Sequence, residues 1–322
     1  MSKPIVNAPA AELPLALYLG SVNAWECDEM GHMNVRFYVQ RAMEGAGLFA
    51  AALGMPKAFS AKSAGTLQPV TQHIRFLKEA RPGAPLSMRG GVLGSDETTI
   101  DTFMEMRHGD GAPAAAITTR FAHVDAHTER AFPWKRDTLV RAEAYACVAP
   151  AHGLPRSIDA TRAGGEASAS IADALAMPVV GRGMVRMEEL DVHGRFRPEM
   201  HIARVSDSVP NLLSAWRAEA AQAVSNDEGE VRVPGAAVLE YRLIYRHWPQ
   251  AGDLLEMRSA LAEVTEKTHR LVHWILDPVS GKAWATAEAV AVTFDLKTRK
   301  TIVAPPAHRA RLQAQIIAGL TI

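Results

Sequence analysis

Glu26-Cys27-Asp28-Glu29-Met30-Gly31-His32-Met33-Asn34 leads directly into a long apolar helical run, from about Val35 to Leu53. An altered copy, Glu189-Leu190-Asp191-Val192-His193-Gly194-Arg195-Phe196-Arg197, precedes a second helical run. Each copy sets an acid three residues ahead of a glycine, in a turn that opens a helix. The chain therefore reads as two copies of one unit, each offering a carboxylate at a helix entrance.

Working outward from the first copy, Asn34 suits the N-cap, because its side-chain oxygen can accept from a free amide of the first turn. Tyr38, Ala42, Ala46, Phe49 and Leu53 recur at steps of three or four, which draws one apolar helix face. Gly45 and Gly47 lie inside this helix, each at a cost of roughly 1 kcal/mol against alanine. Keeping them implies close backbone approach, which a strongly curved sheet wrapped around the helix would supply. Residues 13–25 suit an opening strand. Strands are expected over Leu67–Leu77, Pro85–Leu93, Thr98–Met106 and Ala114–Val124, joined by short turns as an antiparallel meander.

The second half repeats the order. Gly181–Glu188 matches the opening strand, and Arg197 to Val224 is helical in pattern, with a break expected at Pro210. Strands follow at about Ala236–Tyr245, Leu254–Val264, Thr268–Leu276 and Ala283–Phe294. Spacing supports duplication: Gly83 to Gly111 is 28 positions and Gly252 to Gly281 is 29, while Gly111 to Asp125 and Gly281 to Asp295 are both 14. Two copies of a long-period repeat predict an α+β pseudo-dimer, not a solenoid. The boundaries read as 1–140, a linker over 141–177 whose small, polar stretch at Ala163–Ser170 is expected to be flexible or loosely packed, and 178–322. Ala307 to Ala318 reads as a surface helix.

With 322 residues the chain can bury two cores, and its 48% apolar content fits a globular protein. Lys+Arg and Asp+Glu balance at 35 each, which gives no reason to expect nucleic acid or a membrane as partner. Two cysteines are too few for a disulfide framework, so a reduced, cytoplasmic setting is expected. The first fifteen residues show no signal-peptide pattern, and no segment approaches the ~20 apolar residues of a spanning helix. Cys27 reads as a small hydrophobe, not a nucleophile.

At Asp28-Glu29-Met30-Gly31-His32-Met33-Asn34, together with Phe37-Tyr38, the sequence resembles the acyl-CoA thioesterases of the hotdog superfamily, the 4-hydroxybenzoyl-CoA thioesterase-like branch. The resemblance spans nearly the whole chain. It implies a double hotdog: two curved antiparallel sheets, each wrapping a long central helix, joined as a pseudo-dimer. It also implies hydrolysis of an acyl-CoA thioester to free acid and coenzyme A, with Asp28 and, through the repeat, Asp191 as catalytic residues. The second copy departs where Arg195 replaces His32 and Arg197 replaces Asn34.

A thioester carbonyl needs an attacking group and something to hold the oxyanion. Asp28 could act as a general base on water or as a nucleophile, against a purely structural Asx turn into the helix. Amides near Gly31 and His32 are the expected oxyanion donors, with Gly194 as the counterpart in the second copy. His32 and Asn34 could position water or the thioester, or serve as a buried histidine and a helix cap. Arg195 and Arg197 could bind a phosphate or carboxylate, or pair with the turn's own acid. His73, His123 and His127 lack metal-ligand spacing, so no metal is expected, and no cofactor beyond coenzyme A as part of the substrate. Alternatives are an acyl-CoA hydratase or dehydratase on the same fold, and a non-catalytic acyl-CoA-binding protein. Association into a homo-oligomer is left open.

Overall fold

The computed structural model describes residues 3–4, 13–214 and 234–322. The chain divides into two compact units, Met1–Pro155 with Leu190–Glu199, and Arg156–Glu189 with Met200–Ile322.

In the first unit the elements are β1 (Lys3–Pro4), β2 (Leu15–Ser21), α1 (Val35–Ala52), β3 (Gly65–Phe76), β4 (Pro85–Ser95), β5 (Thr99–His108), β6 (Pro113–Asp125) and α2 (Arg136–Ala144). Every ladder is antiparallel, and the order is β4–β5–β6–β3, with β1 and β2 also on β4. This corrects the expected four-stranded meander. Only β4, β5 and β6 follow one another as hairpins; β3 crosses over to the far side of β6. Short turns had suggested simple neighbours, but the residues between Phe76 and Pro85 carry the chain across.

Asn34 caps α1 as expected, its side chain accepting from the Arg36 amide at 3.1 Å. The anticipated face is buried: Tyr38, Ala42, Ala46, Phe49 and Leu53 are each at most 4% exposed. Burying a side chain the size of Phe49 contributes about 1.5–3 kcal/mol. The two helix glycines differ. A Cβ on Gly45 would lie 2.4 Å from Met88 Cε and 3.2 Å from Leu17 Cβ, so here the helix does press on β2 and β4. A Cβ on Gly47 would meet nothing within 4 Å, and close approach does not explain it.

The opposite face of this sheet is covered by the chain after α2. Tyr145 and Cys147 bond the backbone of Val92, and Cys147 packs with Leu13, Phe103 and Ala116. Residues 141–155 are thus part of the first unit's structure.

The second unit holds α3 (Ala169–Ala174), β7 (Val179–Met184), most of α4 (Pro198–Ser208), β8 (Pro234–Tyr245), β9 (Leu254–Val264), β10 (Thr268–Leu276), β11 (Ala283–Asp295) and α5 (Pro306–Gln313). Its order β8–β11–β10–β9–β7 repeats β3–β6–β5–β4–β2. The paired turn glycines repeat as well, with positive φ at Gly83 and Gly252 and at Gly111 and Gly281. α4 ends at Ser208, Val209 is a turn and residues 210–214 are helical again, so the break at Pro210 is present. The rest of that expected helix lies outside the described residues. The small-residue stretch at 163–170, expected to be flexible or loose, is instead closely packed, because its small residues let the backbone approach the core. A Cβ on Gly165 would collide with Thr321, and Ala167 and Ala169 pack on a core containing Trp274 and Ile322. α5 buries Leu312 against Leu261, Val264 and Leu271. Among the described residues no helix is long and apolar enough to cross a membrane.

The contrast between the helix glycines is testable by urea denaturation. Gly47→Ala should raise stability by about 0.4–1 kcal/mol, because the helix gains propensity and nothing is displaced. Gly45→Val should lower it by about 1–3 kcal/mol through overpacking against β2 and β4.

Candidate functional site

The first acid-bearing turn is a tight loop closed by a bridge between Cys27 and Met33. The Asp28 amide donates to the His32 carbonyl at 3.1 Å and the Gly31 amide donates to the Asp28 carbonyl at 3.0 Å. Gly31 sits at φ 76°, the left-handed region that only glycine enters without strain. This requirement alone explains the glycine. Gly194 at φ 77° closes the second turn in the same way, under a Leu190–Phe196 bridge.

The Asp28 carboxylate accepts the Met30 amide at 3.0 Å, which is the Asx turn, and lies 3.5 Å from His32 Nδ1. Burial raises its pKa above the ordinary value, while His32 and the amides of Met30 and His32 work in the opposite direction. Tyr38 stands nearby. Its hydroxyl bonds the Ala80 backbone, and burial pushes its pKa far up. The Cys27 thiol is raised too, by burial and then by Asp28 and Glu26, so it is not a ready nucleophile.

Those bonds correct the expected oxyanion donors. Gly31's amide is spent on the Asp28 carbonyl, and His32's amide faces the Asp28 carboxylate. At the helix entrance Asn34 takes the Arg36 amide with its side chain and the Phe37 amide, at 3.0 Å, with its carbonyl. That leaves Val35, the first residue of α1, as the first-turn amide with no acceptor within the helix.

The second turn has the same backbone and different charges. Asp191 accepts the His193 and Arg195 amides at 2.8 and 3.0 Å, and Arg195 grips its other oxygen through Nε at 3.1 Å and Nη2 at 2.9 Å. A two-pronged guanidinium on a carboxylate is a strong, fixed arrangement. Arg197 pairs with Glu199 at 3.3 Å. Both arginines are thus engaged by acids of their own segment. Glu199 itself is buried, and burial raises its pKa.

One device escaped the sequence reading. Glu26 is 3% exposed, accepts the Asn23 amide at 2.8 Å and pairs with Arg41 on α1. Glu189 is 1% exposed, accepts the Arg186 amide at 2.8 Å and pairs with Arg204 on α4 at 2.6 Å. The spacing of fifteen residues is the same in both. Arg41 and Arg204 sit at matching positions of the two helices, and that repetition was the available signal. Each pair pins the residues just before an acid-bearing turn to the helix just after it.

Among the described residues, no group of three or more His, Cys, Asp and Glu could hold a metal. A cavity of about 720 Å³ lies in the first unit, at the C-terminal end of α1 and the adjoining ends of β3 and β6, and Asp28 does not line it.

A family model described as the thioesterase-like superfamily matches residues 22–142 and 185–312, one stretch per copy. No curated protein sequence matches. Three solved structures are similar along most of the chain. A protein described as an oleoyl thioesterase from Lactobacillus plantarum is 12% identical, with 88% of this chain and 98% of that one covered and a TM-score of 0.65. A 12:0-ACP thioesterase from Umbellularia californica is 10% identical, with 86% and 93% covered and a TM-score of 0.63. An acyl-ACP thioesterase from Bacteroides thetaiotaomicron is 14% identical, with 85% and 96% covered and a TM-score of 0.61. At these identities the likeness speaks for the fold.

Breaking one pair isolates its role. Arg41→Met should destabilise the protein by about 3–5 kcal/mol, since Glu26 would stay buried without its counter-charge. Adding Glu26→Gln should restore a large part of the loss in thermal or urea unfolding.

Proposed function

The chain belongs to the thioesterase-like superfamily, and we propose that it hydrolyses an acyl-CoA thioester to a free acid and coenzyme A. The two copies would form a double hotdog, a pseudo-dimer within one chain. Asp28 is the working carboxylate in this reading. The observation that carries it is the contrast between the turns: Asp191 is clamped by the Arg195 guanidinium, whereas Asp28 faces a histidine at 3.5 Å and is held by burial above its ordinary pKa.

A raised pKa suits a general base, which works best when its pKa approaches the operating pH. Asp28 would take a proton from water as the water oxygen bonds the thioester carbon. The carbonyl electrons move onto oxygen, where the Val35 amide at the helix entrance could donate to the negative charge, helped by the positive end of the α1 dipole. Collapse of this intermediate re-forms the carbonyl and expels the thiolate, which recovers the proton from Asp28. His32 would orient the carboxylate. Coenzyme A enters only as part of the substrate.

Thiol release from a panel of acyl-CoAs tests the assignment. Asp28→Asn should lower the rate by about 100- to 10,000-fold, the usual range for a lost acid–base group, with circular dichroism unchanged. Asp191→Asn should keep most of the activity. Full activity in Asp28→Asn, with loss in Asp191→Asn, would move the site to the second copy. With crotonyl-CoA, free thiol should appear without prior loss of enoyl absorbance; the reverse would indicate a hydratase.

The pH dependence has a definite sign. Asp28's pKa is raised above 3.8 in the folded protein, so the acidic limb of kcat/KM should fall at a pH above the ordinary aspartate value and vanish as a feature in Asp28→Asn. A folded state that holds this proton more tightly than the unfolded state loses stability as pH rises between the two pKa values. At neutral pH Asp28→Asn should therefore match or exceed the wild type in thermal stability.

A further inference from the structure

The segment that covers the outer face of the first sheet, residues 145–155, takes no part in the reaction just described. It lies flat because glycine stands on both sides of the contact. A Cβ on Gly91 of β4 would come within 2.7 Å of the Tyr145 carbonyl oxygen, and one on Gly153 within 2.7 Å of the Phe103 ring. Two backbone bonds of 2.8 Å tie the start of the segment to Val92. The Arg75 guanidinium, from β3, holds its end through the Leu154 carbonyl at 2.7 Å.

Between those ties sits an acid. Glu105, in the middle of β5, has a side chain 0% exposed, and it pairs with His152 of the covering segment and with Arg107 of its own strand. A carboxylate taken that far out of water is costly unless it is paired. His152 is exposed, so protons reach it from solvent.

The second unit covers the same place without a charge. Glu105 lies 22 positions after Gly83, and Trp274 lies 22 positions after Gly252. The rows match as well: Arg89, Glu105 and Ala116 are in register in the first sheet, and Arg258, Trp274 and Thr286 in the second. Trp274 is 1% exposed, packs with Leu320 and Ile322, and donates to the Thr321 carbonyl at 2.9 Å. An indole anchors one covering segment and an ion pair anchors the other. Apolar packing often equals or betters a buried ion pair in stability, so stability alone does not account for Glu105. What the ion pair adds is a response to protons.

We propose that residues 145–155 form a pH-operated strap, latched to Glu105 by charged His152 and loosened when His152 gives up its proton. Histidine is the side chain whose charge ordinarily changes between pH 5 and 8. A neutral ring can still donate a hydrogen bond, but the charge-assisted part is gone. Glu105 keeps Arg107, so the acid stays paired while the strap lifts. The sign follows: closed at low pH, looser as pH rises. The other charges on this face are accounted for. Arg89 of β4 stands opposite Glu105 and donates to the Leu13 carbonyl at 2.7 Å. Asp101 of β5 and Arg120 of β6 grip each other at 2.7–2.8 Å. From β3 come Arg75 and His73; His73 is in register with Thr118, which is in register with Phe103, and it is 4% exposed.

Hydrogen exchange of the full-length protein, corrected for the intrinsic rate, tests the strap at the Cys147 amide, which bonds the Val92 carbonyl. Protection there should fall about tenfold from pH 6 to pH 8, the order expected when a charged hydrogen bond becomes a neutral one. The Gly165 amide of the second unit, bonded to the Ile322 carbonyl, should show no such step. His152→Gln should be weakly protected at both pH values, and His152→Lys well protected at both. His73→Gln should keep the wild-type step. Equal wild-type protection at pH 6 and 8, the same step at Gly165, a step that survives in His152→Gln, or one that vanishes in His73→Gln overturns the proposal. Exchange is read without turnover, so its result is separate from the fate of Asp28.

Discussion

A glutamate taken out of water and held by an arginine one helix away governs the rest of each repeat. Glu26 fixes the residue that opens its short 3₁₀ turn and the guanidinium of α1 at once. Its backbone carbonyl also receives the Asn34 amide at 2.8 Å. The loop from Cys27 to Met33 is thereby tied at both ends, and Asp28 has little freedom to wander. Removing one partner from such a buried pair costs far more than the pair contributes as a whole. That asymmetry makes the pair a positional lock more than a source of stability.

On this common scaffold the two turns diverge through a single position. Where the first copy has His32, the second has Arg195. A permanent cation with a planar fork neutralises Asp191 and satisfies its lone pairs, so the carboxylate is comfortable and committed. A histidine at 3.5 Å does neither, and Asp28 stays under the strain of partial burial. Perturbed carboxylates cluster where chemistry is done, and the proposed role of Asp28 rests on that difference in surroundings.

Much of the fold was legible because it rests on local rules. Alternation and turn glycines located the strands to within a few residues, and β9 and β10 end where Leu254–Val264 and Thr268–Leu276 were drawn. The cap at Asn34, the break at Pro210 and the buried face of α1 were equally local. What was missed depends on contacts between distant residues. Neither the crossing of β3 to β6 nor the Glu26–Arg41 pair leaves a mark in a short window. The oxyanion donors failed for a related reason: Gly31 and His32 were read as an open helix end, but the turn folds back and uses those amides itself. Gly45 and Gly47 look identical in sequence, and only the neighbour at Leu17 and Met88 tells them apart. The motif pointed to Asp28 and Asp191 as candidates, and only the structure shows the different charge standing opposite each, a histidine at 3.5 Å and an arginine fork.

The Arg195 fork has a meaning for the history of the chain. A symmetric assembly of single-copy subunits must accept every substitution twice, so a residue that disables one turn disables its twin. Fusion of the copies removes that constraint. His32 and Arg195 can then be selected for separate tasks; under the proposed function, a tandem gene would keep one reactive carboxylate while the other is retired into architecture.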